Sequence, residues 1–275
     1  MGEGAMTGRG RVLACVDGGP STGRVLAAAR VAADLLGADL DPVLVVEPDS
    51  PGPPPGVRGI EVPATGPESV SGVLLDLLSQ PDVILAVVGV RATEVGARPA
   101  GHVALALLEG ADKPILAVPP RARVEITGSP SVLVPLDGDE TTASGLDPVL
   151  RTLERIGART RVLHVLVTPT VPPMSDSPYD LESWGREFAD RQGIPGSEVN
   201  VRAGDPAQEI LSAVTSAAGE DRVDLITIAW GCDLSPGRAE VVRTLLSASP
   251  IPVLLVPTSI TGPESSPTRP PGAGR

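Results

Sequence analysis

Apolar positions along this chain fall into short dense runs separated by longer stretches with helical spacing. The runs, RVLACVD from Arg11 and DVILAVVG from Asp82 among them, are rich in Val, Leu and Ile and show little polar alternation. A strand buried on both faces of a parallel sheet reads this way, because neither side of its pleat meets water. The pattern predicts strands over Arg11–Asp17, Pro42–Glu47, Gly59–Val62, Asp82–Gly89 and Pro114–Pro119. It predicts a further set over Ser131–Asp137, Arg161–Val167, Glu198–Arg202, Asp224–Trp230 and Pro252–Pro257.

Helical patterns fill the gaps. STGRVLAAARVAADLLG sets Val25, Leu26, Ala29 and Ala33 on one stripe and stops at Gly37, a residue suited to the left-handed end of a helix. DPAQEILSAVTSAAGE offers Asp205 as N-cap, Pro206 at the first helical position and an Ile210, Leu211, Val214 face. Alternating strands and helices of this kind predict an α/β, Rossmann-like, doubly wound fold.

The unit is written twice. VLACVDGG from Val12 returns as VLVPLDGD from Val132, a shift of 120, and KPILAVPP from Lys113 returns as IPVLLVPT from Ile251, a shift of 138. The second copy is therefore longer by 138 − 120, about eighteen residues. Most of the excess is an insertion over 168–195. Within it Leu181, Trp184 and Phe188 share one face of an amphipathic helix predicted over 178–192, which either packs back on its own domain or serves as a lid or docking surface. The organisation expected is a flexible arm over 1–10, one domain over 11–126, a second over 127–260 and a disordered Pro/Gly/Ser-rich tail over 261–275.

Composition narrows the chemistry. A formal charge of −12 without a basic cluster opposes binding to nucleic acid. Tyr179, Trp184, Phe188 and Trp230 are the only aromatics, so no row of stacking platforms for bases exists either. Cys15 and Cys232 make neither a disulfide framework nor a zinc spacing and are expected to be reduced thiols. The start of the chain has no signal-peptide pattern, MGEG is a poor acylation signal, and no apolar run is long enough for a bilayer. These features predict a soluble, cytoplasmic protein with no membrane partner.

The strand ends in VDGG and PLDGD, the helix opening GDPAQEIL, a glycine-bearing loop after the fourth strand and the closing KPILAVP and IPVLLVP together resemble the universal stress protein family, twice in tandem. The resemblance implies two five-stranded parallel sheets in the order 3-2-1-4-5. It also implies units paired through their fifth strands, within one molecule or between chains. In nucleotide-binding members of that family an aspartate ends the first strand, and a loop of form Gly-x2-Gly-x9-Gly-(Ser/Thr) holds phosphates.

Carried over on that basis, the first copy supplies Asp17, Gly18, Val46, Gly89, Arg91, Gly101, His102 and Val103 as candidate nucleotide-binding residues, with ATP and Mg as the implied ligand. Here GVRATEVGARPAGHV departs from the loop pattern: Ala92 replaces the second glycine, and Gly101 with His102 stand one residue early. The physical demand is for inward backbone N–H groups and a helix N-terminus, which Gly101 still permits. The second copy aligns Ala239 and Glu240 with Gly101 and His102, and its loop is four residues shorter. Asp233 and Glu240 place carboxylates where phosphates would lie, so Asp137, Gly231, Gly237 and Arg238 are expected to hold at most a smaller anion.

No other motif competes. The single lysine, Lys113, excludes a Walker loop, and no nucleophile elbow appears. His164, inside RVLHVLV, reads as a hydrogen-bonded sheet histidine. Asp17 and Asp137, each followed by glycine, also suit plain turn chemistry. The expected function is thus a non-enzymatic stress-response protein that binds a nucleotide in its first copy, with a protein partner or a homodimer. The alternative is an interaction module that has lost nucleotide binding; an enzyme acting on a small anionic metabolite has no visible catalytic group.

Overall fold

The computed structural model describes residues 9–46, 52–61, 69–90, 102–126, 128–167, 181–192, 199–233 and 239–258. The first half runs β1 (Arg11–Cys15), α1 (Thr22–Leu36), β2 (Asp39–Val46), β3 (Arg58–Glu61), α2 (Val70–Ser79), β4 (Val83–Gly89), α3 (His102–Gly110) and β5 (Ile115–Val118). The second half runs β6 (Ser131–Leu136), α4 (Glu140–Arg155), β7 (Arg159–Leu166), α5 (Leu181–Gln192), β8 (Val199–Ala203), α6 (Pro206–Ser216), β9 (Leu225–Trp230), α7 (Glu240–Ala248) and β10 (Val253–Pro257). The predicted arm, tail, insertion loop and domain boundary at Thr127 lie wholly or largely outside the described residues.

All strands belong to one sheet, in the order β3-β2-β1-β4-β5-β10-β9-β6-β7-β8. Each half therefore keeps the expected order 3-2-1-4-5, but the two sheets anticipated from the sequence are continuous. Their fifth strands join them: Val253 pairs with Ala117, Leu254 with Leu116 and Leu255 with Ile115, antiparallel in an otherwise parallel sheet. The within-molecule form of fifth-strand pairing is the one observed.

Side chains alternate across the pleat and so sort into two cores. On one face Leu13, Ala86 and Ile226 pack beneath α2, α3, α6 and α7, whose Leu78, Leu107, Leu108, Ile210, Leu245 and Leu246 are fully buried. On the other face Val12, Ala14, Val134 and Leu254 pack with α1, α4 and α5 through Val25, Ala29, Ala33, Leu146, Leu153 and Phe188. Both cores run across the junction of the halves.

The helix ends follow local chemistry. Gly37 closes α1 at φ 62°, its N–H returning to the carbonyl of Asp34. The carboxylate of Asp205 accepts from the N–H of Gln208 at 2.9 Å and caps α6, with Pro206 at the first position. Between the halves, the linker is tied down from the second copy. Arg123 donates its N–H to the carbonyl of Pro250 at 2.9 Å and its guanidinium to that of Val223 at 2.7 Å; Arg222 donates to the carbonyl of Glu125 at 2.6 Å.

Candidate functional site

In the first half, β1 leads to α1 on one face of the sheet and β4 leads to α3 on the other. The two strands are neighbours whose chains leave to opposite faces, and the carboxyl edge at such a switch point is where doubly wound sheets bind ligands. The chain brings Asp17 and Gly18 from the end of β1, Val46 from the end of β2, Gly89 from the end of β4, and His102 with Val103 from the start of α3 to this edge. Arg91 and Gly101 fall outside the described residues.

Asp17 is exposed, and its Oδ1 accepts from the N–H of Gly19 at 2.8 Å and from the Ser21 hydroxyl at 3.3 Å. Those bonds fold the chain from strand into helix while Gly18 takes φ 70°, a conformation glycine adopts without strain. Turn chemistry thus accounts for part of the aspartate's role, and it fixes the carboxylate at the carboxyl edge. Gly89 has a packing reason of its own: a Cβ there would lie 3.1 Å from Cγ2 of Val25 and 3.3 Å from Cβ of Ser21. The missing side chain lets the end of β4 approach the start of α1.

Beneath this edge Cys15 ends β1 and packs against the core. Burial, and secondarily the nearby Asp41 carboxylate, push its thiol up from 9.0 to about 12. Asp41 itself bonds to Arg11 at 2.8 Å and to Arg58 at 2.5 Å. A thiol whose folded pKa is raised contributes stability that is complete below its unfolded value and is lost as pH rises toward the folded one. The melting temperature should therefore fall between pH 9.0 and about 12, with a slope approaching about 1.4 kcal/mol per pH unit from this group, and Cys15→Ala should flatten that fall. Melting curves of both proteins across that range check it; parallel curves would refute it. Both cysteines are free, and burial raises the Cys232 thiol as well.

The turn after β6, the counterpart of the Asp17 turn, is covered by an aromatic side chain from its own half. Asp137 repeats the turn, its Oδ1 accepting from the N–H of Asp139 at 3.0 Å and its Oδ2 from the Thr142 hydroxyl at 3.3 Å. Gly138 has φ 93° and sits directly under Phe188: a Cβ on it would lie 3.4 Å from the phenyl Cε2 and 3.7 Å from Cε1 of His164. Phe188, only 3% exposed, stacks on the His164 ring with centroids 4.3 Å apart. The buried His164 donates through Nδ1 to the carbonyl of Leu136 at 2.8 Å. Phe188 comes from α5, the insertion helix, which packs back on β8 so closely that a Cβ on Gly185 would touch Cγ2 of Val201 at 3.3 Å. The side chains of Leu181 and Trp184 lie outside the described residues.

The helices that follow the fourth strands begin at matching positions, His102 and Glu240, the 138-residue shift read from the sequence. Helix α7 opens on Ala239, which supplies no side-chain cap, and carries the Glu240 carboxylate in its first turn, where it meets the positive end of the helix. Gly231 directly follows β9; Gly237 and Arg238 fall outside the described residues. Two features of this edge carry no signal in the sequence: the His164–Phe188 stack, and Trp230 at the end of β9. The Trp230 indole donates Nε1–H to the carbonyl of Leu108 in α3, at 2.6 Å, crossing from one half to the other.

Among the described residues no group of three His, Cys, Asp or Glu side chains could hold a metal ion, and no helix is long and apolar enough to cross a membrane. Residues 129–257 match the model of the universal stress protein family. No curated protein matches the chain in sequence. Among solved structures, a functionally unknown protein from Pseudomonas aeruginosa superposes with a TM-score of 0.63 at 13% identity, covering 91% of this chain and 93% of that one. A putative universal stress protein from the same species gives 0.63 and 13%, over 93% and 95%. A universal stress protein from Archaeoglobus fulgidus gives 0.59 and 14%, over 91% and 97%. At such identities these likenesses speak to the fold, and they extend it over both halves.

Proposed function

From the premise that residues 129–257 are a universal stress protein domain, and that the first half repeats its strand order, we propose a non-enzymatic stress-response protein that binds one nucleotide, ATP with its Mg, in the first half. The observation that supports this reading is the asymmetry of the two halves at the carboxyl edge. Phe188, stacked on His164, covers the Gly138 turn of the second, whereas residues 1–126 contain no aromatic residue that could cover the Gly18 turn of the first in the same way. In this reading Asp17 faces the ribose or base, Val46 and Val103 line the base, and Gly89, Arg91, Gly101 and His102 surround the phosphates. The Mg ion rides on the phosphates and needs no protein cluster of its own. The sequence carries one lysine, Lys113, and no nucleotide-hydrolysis motif, and in this reading binding rather than turnover is the output.

Calorimetric titration with ATP and Mg tests it. One site per chain is expected, with Kd about 1–100 μM, lost in Asp17→Ala and kept in Asp137→Ala. Because Asp17 also holds the turn into α1, Asp17→Asn, which preserves an Oδ1 acceptor, serves as the folding control. No heat and no thermal shift at millimolar ATP would leave the interaction module as the better description.

A further inference from the structure

The face of the sheet carrying α1 and α4 holds a cleft over the seam between the halves, lined by none of the residues placed at the candidate nucleotide site. On the other face α3 and α7 cover the β5–β10 junction, but here α1 and α4 stand on either side of it and leave a cavity of about 820 Å³ between them. Leu116 and Leu254, directly paired across the junction, form its floor. Ala32 and Leu35 of α1 and Val149 and Leu153 of α4 form its sides. Val124 and Ile126, in the linker that Arg123 and Arg222 hold in place, close one end. The cleft is thus a built chamber of the joined chain.

Its walls are mostly aliphatic. No aromatic side chain lines it among the described residues, so it offers nothing that selects a flat ring. Ile84, 40% exposed and one of two large hydrophobic residues exposed among those described, lies at its wall. Apolar surface left open in a concave site of this size is characteristic of ligand pockets. The deep polar group, Asp224, is already satisfied by the N–H of Ser131 at 3.0 Å and by Arg222 at 2.8 Å. Two charges line the rim: Arg155, in the last turn of α4, whose guanidinium donates to the Thr152 hydroxyl at 2.9 Å, and Asp34, in the last turn of α1. The Thr152 hydroxyl spends its proton on the carbonyl of Pro148 at 3.0 Å, so Arg155 is the rim donor suited to an anionic head.

We propose that this cleft binds a single-chain aliphatic carboxylate, its hydrocarbon tail along Leu116 and Leu254 and its head at Arg155. The site is independent of the nucleotide reading, since it lies over the seam and shares none of its residues.

Displacement of cis-parinaric acid from the full chain, followed by fluorescence, tests the proposal. Saturable binding of one parinarate, displaced by palmitate, is expected. Affinity should rise roughly tenfold for each two methylenes between decanoate and palmitate, the increment for burying hydrocarbon. Arg155→Ala should weaken palmitate about fivefold and leave hexadecanol unchanged, whereas Asp34→Asn should tighten palmitate about twofold. Ala32→Trp, which fills the cleft from the half-buried side of α1, should abolish binding while its melting curve reports whether the fold survives. Affinity that ignores chain length, or that Ala32→Trp leaves intact in a folded protein, overturns the proposal. So does a chain that takes no parinarate and is instead a dimer dissociated by Ala32→Trp, because the cleft is then a self-association face.

Discussion

Replacing Trp230 by alanine is expected to lower folding stability by about 3–5 kcal/mol, the usual cost of emptying a buried indole-sized site. Trp230 is 4% exposed and belongs to the core beneath α3 and α7, so little rearrangement can refill the space. The indole also provides the hydrogen bond to the Leu108 carbonyl, one of the polar links between α3 of the first half and β9 of the second. Trp230→Phe separates the two contributions. It keeps most of the packing and removes the donor, for an expected loss of about 1–2 kcal/mol. Urea unfolding of the three proteins measures both steps. A loss below about 1 kcal/mol for alanine would mean that the halves are not coupled through this residue. With the link intact, unfolding should be a single transition; in Trp230→Ala the two halves should begin to melt apart.

The second large effect is expected at Phe188. Truncation to alanine removes the ring that stacks on His164 and covers Gly138, and should cost about 2–4 kcal/mol. The upper bound is set by the free energy of releasing α5 alone, since a peripheral helix can detach without unfolding the sheet. Hydrogen exchange resolves the two possibilities by location. Amides of α5 and β8 should lose protection in Phe188→Ala, while those of β1 to β5 keep it. Unchanged exchange in α5 would show that the stack contributes nothing to holding the insertion helix.

Ten strands were legible because a strand covered on both faces writes itself as an unbroken aliphatic run, and the structure places each within a few residues of its expected position. The largest differences at strand starts are instructive. Strand β2 begins at Asp39 rather than Pro42, since Asp39 and Leu40 are recruited by pairing with Arg11 and Val12, and Asp41 is neutralised there by Arg11 and Arg58. A carboxylate inside a strand reads as a boundary in hydropathy, and only its distant partners reveal otherwise. The amphipathic pattern of 178–192 likewise announced a helix but could not say that Phe188 would stack on His164 over the Gly138 turn. Its target, His164, is separated by a loop and a strand end. Trp230 and Leu108 lie 122 positions apart, and nothing local to either marks the contact. Gly89 was legible as a special residue, though the packing against Val25 and Ser21 that requires it was not.

The antiparallel seam between β5 and β10 has a consequence for higher assembly. A lone five-stranded unit leaves one flank of its last strand with unclaimed amides and carbonyls, a template through which identical molecules can zip together. Here each flank is consumed by the other copy, and among the described residues the outermost strands, β3 and β8, carry the sheet's remaining edges. Two such chains cannot pair through their fifth strands, because the valence that duplication spent at the centre is unavailable to neighbours.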